Sequence, residues 1–302
     1  MDFNQTCKKI KELKIQGATN VAVSAVDALG SLIQKSKANS RTKILAEIEA
    51  GRKKLVGLRA TEPMMRNFLN FVQARAAIGR DAKEVKAEAK RAAKEALMMK
   101  TAAKEAIVRI GAGLIEEGSI VYTHCHASTV TGILKEAAKT KKFEVYNTET
   151  RPKFQGRITA AELAKAKIPV THFVDSAAKF ALRKADVMLI GADAITPMGV
   201  YNKIGSSLFT ELARKYDTPV YVCSVSWKFD PEAIFGHEEV IEDRNPKEVW
   251  DKAPKGVRVS NHAFERVSPE HVTAIISELG VYSLDSFIEE TKKKYRWMFP
   301  RQ

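Results

Sequence analysis

The second half of the chain alternates short apolar runs with stretches of helical periodicity. The runs are rich in β-branched residues and lie at 120–123, 143–146, 170–174, 187–190 and 220–223. Parallel strands need a connection long enough for a crossover helix, and each interval between these runs has that length. Such alternation is typical of a parallel sheet with right-handed crossovers. We therefore predict a doubly wound, mainly parallel sheet for residues 113–302.

Residues 1–112 follow a different pattern. Apolar residues recur there at helical spacing, and Pro63 is the only proline. The longest helix is predicted for 81–115, where Asp81 and Glu84 have the spacing of a capping box. We expect a helical N-terminal domain at 1–112 followed by an α/β domain at 113–302, so the fold class of the chain is α/β.

Three further helix starts are predicted in the second half from side chains that can bond backbone N–H groups. Thr159 and Glu162 have capping-box spacing, and Ser206 directly follows a glycine. Ser268, followed by a proline, has the pattern of a helix N-terminus. We expect a helix to begin at each of these three positions.

The composition limits the compartment and the partners. No apolar run reaches the length of a membrane helix, and the first residues lack the apolar core of a signal peptide. We expect a soluble, cytoplasmic protein that does not bind a membrane. The net charge of +14 attracts polyanions, either nucleic acid or a bisphosphorylated metabolite. On the long helix the lysines alternate with glutamates, which indicates a solvated face and makes nucleic acid the weaker candidate.

The chain has three cysteines, Cys7, Cys125 and Cys223, which are far apart and form no Cys-x-x-Cys pair. Such spacing argues against a disulfide framework and against a cysteine-rich zinc site. His124 and His126 flank Cys125, but adjacent strand residues point to opposite faces, so the three side chains cannot readily share one metal ion. We predict no metal site, and we interpret Cys7 and Cys223 as structural.

Two side chains at strand ends have the properties of an acid–base pair. Cys125 follows the first run at the start of a predicted helix, 127–138, and a helix N-terminus can lower a thiol pKa and favour the nucleophilic thiolate. Asp193 follows the fourth run, where a carboxyl group loses hydration and its protonated form, a general acid, is favoured. The alternatives are a small buried hydrophobe at Cys125 and a turn or N-cap residue at Asp193.

Groups that suit a phosphate follow Asp193. The stretch 202–207 offers an amide, an ammonium group and the backbone N–H groups of a helix start. Lys228 adds a second cation just after a predicted strand. Two segments of the helical half, 16–19 and 58–61, can contribute further donors. These residues predict a site for a phosphorylated sugar.

Five motifs occur in an order that resembles a known family. They are THCHAS around Cys125, TETRPKFQGRITAAEL from Thr148, VDSA from Val174, GADAIT from Gly191 and NKIG from Asn202. Together they resemble the archaeal ribose-1,5-bisphosphate isomerases over nearly the whole chain. The same superfamily holds methylthioribose-1-phosphate isomerase and the regulatory subunits of translation initiation factor 2B. The resemblance implies a Rossmann-like catalytic domain after a helical domain.

The resemblance also implies a role for each matching position. Cys125 matches the proton acceptor and Asp193 the proton donor. The positions that match substrate-binding residues are Gln16, Gly17, Ala18, Thr19, Arg59, Ala127, Ser128, Thr129, Asn202, Lys203 and Lys228. Two of them depart from the family pattern, because Gln16 stands where an arginine is usual and Thr19 where a glycine is usual. The loss of an arginine removes a bidentate phosphate donor.

The activity implied is isomerisation of ribose 1,5-bisphosphate to ribulose 1,5-bisphosphate, in AMP metabolism that supplies a Rubisco. Proton transfer alone can achieve it, so no cofactor or metal is expected. The resemblance further implies activation by AMP and a homo-oligomer, either a dimer or a hexamer. The alternatives are an initiation factor 2B-like regulatory subunit without catalysis, and an isomerase of another sugar phosphate. In many regulatory subunits the cysteine and the aspartate are replaced, so the presence of both here favours an enzyme.

Overall fold

The structure is a computed structural model that describes residues 2–15, 17–59, 62–236, 241 and 243–299. Its α-helices are α1 (Phe3–Lys11), α2 (Ala18–Lys35), α3 (Arg41–Val56), α4 (Pro63–Ala76), α5 (Ala82–Gly113), α6 (Ser128–Ala137), α7 (Gln155–Lys165), α8 (Ala178–Leu182), α9 (Ser206–Lys215) and α10 (Leu284–Lys294). Its strands are β1 (Ile120–Thr123), β2 (Glu144–Thr148), β3 (Val170–Phe173), β4 (Val187–Ile190), β5 (Ala194–Thr196), β6 (Gly199–Lys203), β7 (Val220–Cys223), β8 (Phe264–Val267), β9 (Ala274–Ser277) and β10 (Gly280–Tyr282).

The five predicted runs all form strands of the larger sheet, which has the order β10-β9-β7-β4-β1-β2-β3. Neighbouring strands are parallel except β9 and β10. The chain moves outward from β1 to β2 and β3, and then continues on the other side of β1 with β4, β7 and β9. All four residues of β4 are buried, as expected for a strand covered on both faces. The predicted doubly wound α/β fold after a helical region is confirmed.

A second sheet, with the antiparallel order β5-β6-β8, was not predicted. Strands β5 and β6 form a hairpin directly after Asp193. Strand β8 joins β6 from much later in the chain, with Asn202 opposite Glu265 and Lys203 opposite Phe264. These strands are three to five residues long and carry polar residues, so they lack the apolar run by which the strands of the larger sheet were recognised.

Contacts group the chain into two compact units. The first comprises Met1–Ala102, Trp227–Val240 and Thr291–Gln302, and the second comprises Ala103–Ser226 and Ile241–Glu290. This grouping adds two later segments to the helical unit, whereas the prediction divided the chain once, at residue 112. Within the first unit the Asn67 side chain donates to the carbonyls of Trp227 (2.9 Å) and Phe229 (2.8 Å), and the Phe68 ring packs edge-on against Trp227. These contacts hold the segment against the helices.

The predicted helix starts have mixed outcomes. Asp81 accepts a hydrogen bond from the Glu84 N–H at 2.8 Å, which confirms the N-cap of α5. The start at Thr159 is wrong, because α7 begins earlier, at Gln155, and Thr159 lies in its middle. Ser206 is the first residue of α9 but its hydroxyl donates to the Lys203 carbonyl, so the predicted cap is wrong. Ser268 precedes only a three-residue 3-10 turn, because the chain enters β9 soon afterwards.

Candidate active site

Cys125 and Asp193 lie just beyond neighbouring strands of the larger sheet. Strands β1 and β4 are parallel and in register, with Thr123 opposite Leu189, so both residues follow the carboxyl ends of adjacent strands. The direction of winding reverses between these two strands. In open α/β sheets the crevice at such a switch point is the usual position of a ligand. Cys125 and Asp193 therefore follow the two strands that border the crevice at this switch point.

A glycine lets the two strand ends and a helix start approach closely. A Cβ atom on Gly191, which follows β4, would lie 2.7 Å from the Cβ of Ala127, at the start of α6. Real Cβ atoms do not come so close, so a larger residue at 191 would push the two segments apart. The GAD sequence thus brings the turn that carries Asp193 against the segment that follows Cys125.

Burial raises the pKa of the Cys125 thiol to about 11, because the thiolate loses hydration. The nearby Lys203 ammonium opposes this effect, and the negative charges of Asp193 and Asp175 add to it. The prediction that the helix N-terminus lowers this pKa is wrong, since desolvation is the larger effect. In the free protein the thiol is therefore protonated near neutral pH, and its ionisation depends on Lys203.

Lys203 is the cation of the site. It ends β6, is only 7% exposed, and its ammonium lies 4.8 Å from the ring centroid of Phe264, its neighbour on β8. Burial lowers the Lys203 pKa, while Cys125 and Asp193 act to raise it. Each of the three groups therefore lies within electrostatic range of the others.

The helix start at 205–207 does not offer all the N–H groups that were predicted for a phosphate. The Glu265 carboxylate accepts a hydrogen bond from the Ser207 N–H at 2.8 Å, and also one from Gly205. This part of the prediction is wrong, because β8 delivers a carboxylate to the N-terminus of α9. The buried Asn202 side chain donates to the Ser206 hydroxyl at 3.0 Å. Glu265 was not predicted, because neither β8 nor its pairing with β6 leaves a recognisable pattern in the sequence.

His124 connects β1 to the NKIG turn. It is buried, its Nε2 lies 2.9 Å from the Ile204 carbonyl, and its Nδ1 lies 2.8 Å from the Thr148 hydroxyl. Because a carbonyl can only accept, Nε2 carries the proton, and Nδ1 accepts from Thr148. Burial lowers the His124 pKa to about 4. The neutral imidazole thus holds in place the turn that follows Lys203.

Acid should destabilise the protein through His124. The unfolded chain binds a proton at this imidazole near pH 6.5 and the folded chain only near pH 4, so the unfolded state binds more protons between these values. The free energy of unfolding should therefore fall as pH falls through this window, by about 3 kcal/mol from this group. Urea unfolding of wild type and His124→Gln at pH 7 and pH 4.5 tests this. Equal losses in the two proteins would contradict the assignment.

The predicted binding residues at the start of α6 differ in their surroundings. Ser128 is exposed, and Ala127 is half-buried. The Thr129 hydroxyl donates to the Cys223 carbonyl at 2.7 Å, so its proton is engaged with β7. These residues follow β1 at the same edge of the sheet as Cys125. Their binding roles stay predictions.

The other predicted binding residues belong to the first unit. Gln16 lies outside the described residues. Gly17 is exposed at the start of α2 with φ +82°, Ala18 is buried, and Thr19 is half-buried. Arg59 is buried and donates to the Glu62 carboxylate at 2.9 Å, and Lys228 is half-buried at the end of a short 3-10 turn. Their roles in binding the same substrate stay predictions.

The described residues show neither a cluster of metal ligands nor a membrane-spanning helix. Among residues 2–15, 17–59, 62–236, 241 and 243–299, no three His, Cys, Asp or Glu side chains are grouped so that they could hold a metal ion. Over the same described part of the chain, no helix combines the length and the apolar character needed to span a membrane.

Comparison with known proteins places the chain in a family. The ribose 1,5-bisphosphate isomerase of Pyrococcus furiosus is 35% identical, over 98% of this chain and 94% of that protein. The enzyme of the same name from Thermococcus kodakarensis is 36% identical, over 97% and 94%. The crystal structure of Pyrococcus horikoshii translation initiation factor eIF-2B matches with a TM-score of 0.80 at 26% identity, over 93% and 96% of the two chains. A model of the initiation factor 2 subunit family matches residues 14–283, and the chain belongs to that family.

Proposed function

We propose that this protein is an isomerase that converts ribose 1,5-bisphosphate into ribulose 1,5-bisphosphate. The observation that supports it most is the placing of Cys125 and Asp193 beyond adjacent strands at the switch point, with the buried Lys203 in electrostatic range of both. A base, an acid and a cation are the groups that isomerisation of a sugar phosphate requires. The identity of about a third with relatives of that name, over nearly the full chain, supports the same substrate.

Ring opening comes first in the mechanism. The anomeric oxygen of ribose 1,5-bisphosphate carries a phosphate, so the ring cannot open by loss of a proton from an anomeric hydroxyl. Asp193 in its protonated form donates to the ring oxygen as the C1–O4 bond breaks. The O4 atom leaves as a hydroxyl, and positive charge develops at C1.

Proton transfer between carbons follows. The Cys125 thiolate removes the C2 proton, and the electron pair of the C2–H bond forms a C1–C2 double bond that neutralises C1. The Cys125 thiol, whose proton exchanges with solvent, then protonates C1, while the C2 hydroxyl returns a proton to Asp193. The product is ribulose 1,5-bisphosphate, and both residues regain their starting state. Each step moves protons only, so the sequence needs no redox cofactor.

The reactivity of the Cys125 thiol should rise with pH. Only the thiolate is nucleophilic, and burial raises the pKa of the thiol to about 11, so below that value the thiolate fraction increases about tenfold per pH unit. We expect the rate of alkylation of Cys125 by iodoacetamide to increase between pH 6.5 and 9. The pH profile of kcat/KM should be flatter, because a general acid must be protonated while the base is ionised, and a higher pH favours one at the expense of the other. An alkylation rate that does not change between pH 6.5 and 9 would contradict a thiol with a raised pKa.

A substrate panel tests the proposed function. Ribose 1,5-bisphosphate and methylthioribose 1-phosphate are incubated separately with the protein, with and without AMP, and ³¹P NMR follows the products. We expect conversion of the bisphosphate at a kcat/KM at least about tenfold above that of the monophosphate, because each additional phosphate adds charge-assisted hydrogen bonds. No conversion of either compound would reject the enzyme, and binding of initiation factor 2 would then be tested at low salt.

Two further properties implied by the resemblance belong to this proposal. AMP would act as an activator, and the protein would form a dimer or a hexamer in the cytoplasm. Light scattering coupled to size-exclusion chromatography gives the mass of the assembly directly. Kinetics at saturating substrate with increasing AMP show whether the nucleotide changes kcat.

A further inference from the structure

Cys125 has an unusual backbone conformation. Its φ angle is +67°, in the left-handed region that non-glycine residues rarely adopt. Two threonine hydroxyls hold it there. The Thr150 Oγ1 accepts a hydrogen bond from the Cys125 N–H at 3.0 Å, and the Thr159 Oγ1 donates to the Cys125 carbonyl at 2.8 Å. Both peptide groups of the cysteine are therefore fixed by side chains from elsewhere in the chain.

Thr150 is itself fixed. It is fully buried and left-handed, with φ +63°, although it is β-branched. Its N–H donates to one oxygen of the Asp175 carboxylate at 2.8 Å, and the N–H of Arg151 donates to the other at 2.7 Å. The carboxylate of the VDSA motif thus fixes the turn of the TETRP motif, which in turn holds Cys125.

Thr159 approaches Cys125 from the middle of α7. A Cβ atom on Gly156, in the first turn of that helix, would lie 1.7 Å from the Thr148 carbonyl oxygen, so only glycine lets the helix pack this closely. The Thr159 oxygen also lies 3.1 Å from Nδ1 of His126, which can donate to it while the hydroxyl donates to Cys125. Thr159 is 1% exposed, so water does not compete for these bonds.

We infer that Thr150 and Thr159 are positioning residues that aim the Cys125 thiol at the substrate. The φ angle of a residue sets the direction of its Cα–Cβ bond, so a return of Cys125 to an ordinary conformation would move the sulfur away from its present place. The inference rests on the proposed function in one respect, the use of Cys125 as the base. It gives a structural role to the motif that begins at Thr148 and to the VDSA motif. Neither motif takes part in the proton-transfer steps.

The test compares isosteric and conservative variants. Thr150→Val and Thr159→Val remove the hydroxyl, and Thr150→Ser and Thr159→Ser keep it. Misplacement of a reacting group by about 1 Å can cost about 10²-fold, so we expect the valine variants to lower kcat by about that factor with KM changed less than about threefold. The serine variants should retain kcat within about threefold. The matched control is Thr218→Val, which removes a buried hydroxyl bonded to the Ala185 carbonyl, beyond the other end of the sheet.

Alkylation gives a readout that does not depend on the substrate. Iodoacetamide is applied at pH 9, and mass spectrometry follows the peptide that contains Cys125. Cys125 is half-buried, and release of its thiol from the held conformation should raise its alkylation rate about tenfold in both valine variants, with the serine variants and Thr218→Val within about twofold of wild type. Valine variants that match Thr218→Val in both kcat and alkylation would overturn the inference. If wild type fails to isomerise ribose 1,5-bisphosphate, the proposed function fails, and the alkylation rates still decide the positioning role.

Discussion

The Cys125→Ala variant is expected to convert ribose 1,5-bisphosphate at least about 10³-fold more slowly than wild type, because removal of a catalytic base costs about 10²–10⁴. The variant should stay folded, since one small side chain replaces another and the backbone bonds of Cys125 to Thr150 and Thr159 remain available. Measurement of kcat by ³¹P NMR, with the thermal unfolding midpoint recorded alongside, separates lost chemistry from lost structure. Asp193→Asn, which keeps the shape of the acid but removes its proton, should give a loss of the same order.

The matched control for Cys125→Ala is Cys7→Ala. Cys7 is a buried cysteine of α1 in the first unit, and no catalytic role is assigned to it. Its replacement should lower stability by about 1 kcal/mol and leave kcat within about twofold, because only a small buried group is lost. Near-wild-type turnover by Cys125→Ala or Cys125→Ser would remove the cysteine from the mechanism.

The second large effect is expected for Lys203→Met. The Lys203 charge lowers the pKa of the Cys125 thiol, and this buried cation lies within electrostatic range of both Cys125 and Asp193. Loss of one such electrostatic contact costs about 10²–10³ in rate, and we expect kcat/KM to fall by that factor. The rise of the Cys125 alkylation rate with pH should also shift to higher pH, because the thiolate is no longer stabilised by the ammonium group.

Stability should also fall in Lys203→Met. The methionine removes the desolvation cost of the ammonium group, but it leaves the Asp193 charge without its partner, so the free energy of unfolding should be lower than that of wild type. Lys215→Met, an exposed position in the last turn of α9, removes the same formal charge and should leave kcat/KM within about twofold. A Lys203→Met protein with unchanged kcat/KM and an unchanged pH profile of Cys125 alkylation would show that Lys203 acts on neither Cys125 nor the substrate.

The strands that carry the proposed acid and base could be predicted because they are buried on both faces. A parallel strand covered by helices becomes a continuous apolar run, and 187–190 is such a run with all four residues buried. The order of the strands then places the ends of β1 and β4 side by side, where Cys125 and Asp193 follow. Local pattern was therefore enough to locate both residues at the same edge of the sheet.

The second sheet could not be predicted, and the errors in the site follow from that. Strand β8 is short and partly exposed, and it pairs with β6 across about sixty residues of chain, so no local pattern links Glu265 to the N-terminus of α9. The Thr159 error has a related cause. A threonine followed by a glutamate three residues later resembles a capping box, but this threonine bonds a residue far away in sequence, Cys125.

The direction of the shift in the Cys125 pKa could not be predicted from the local sequence either. The start of α6 does follow Cys125, as predicted, and a helix N-terminus favours a thiolate. The burial of the thiol, and its nearness to the charges of Lys203, Asp193 and Asp175, depend on parts of the chain that are distant in sequence from residue 125. Desolvation, which affects the Cys125 pKa most, can therefore be recognised only in the folded chain.

The most direct test of the account is an NMR time course of ribose 1,5-bisphosphate in D₂O with wild type, Cys125→Ala and Asp193→Asn. We expect ribulose 1,5-bisphosphate in the wild-type sample and no product above background in either variant over the same period. Deuterium should enter at C1 in proportion to the exchange of the Cys125 thiol with solvent before that thiol protonates C1. Product formed equally fast by Cys125→Ala would contradict proton transfer through Cys125.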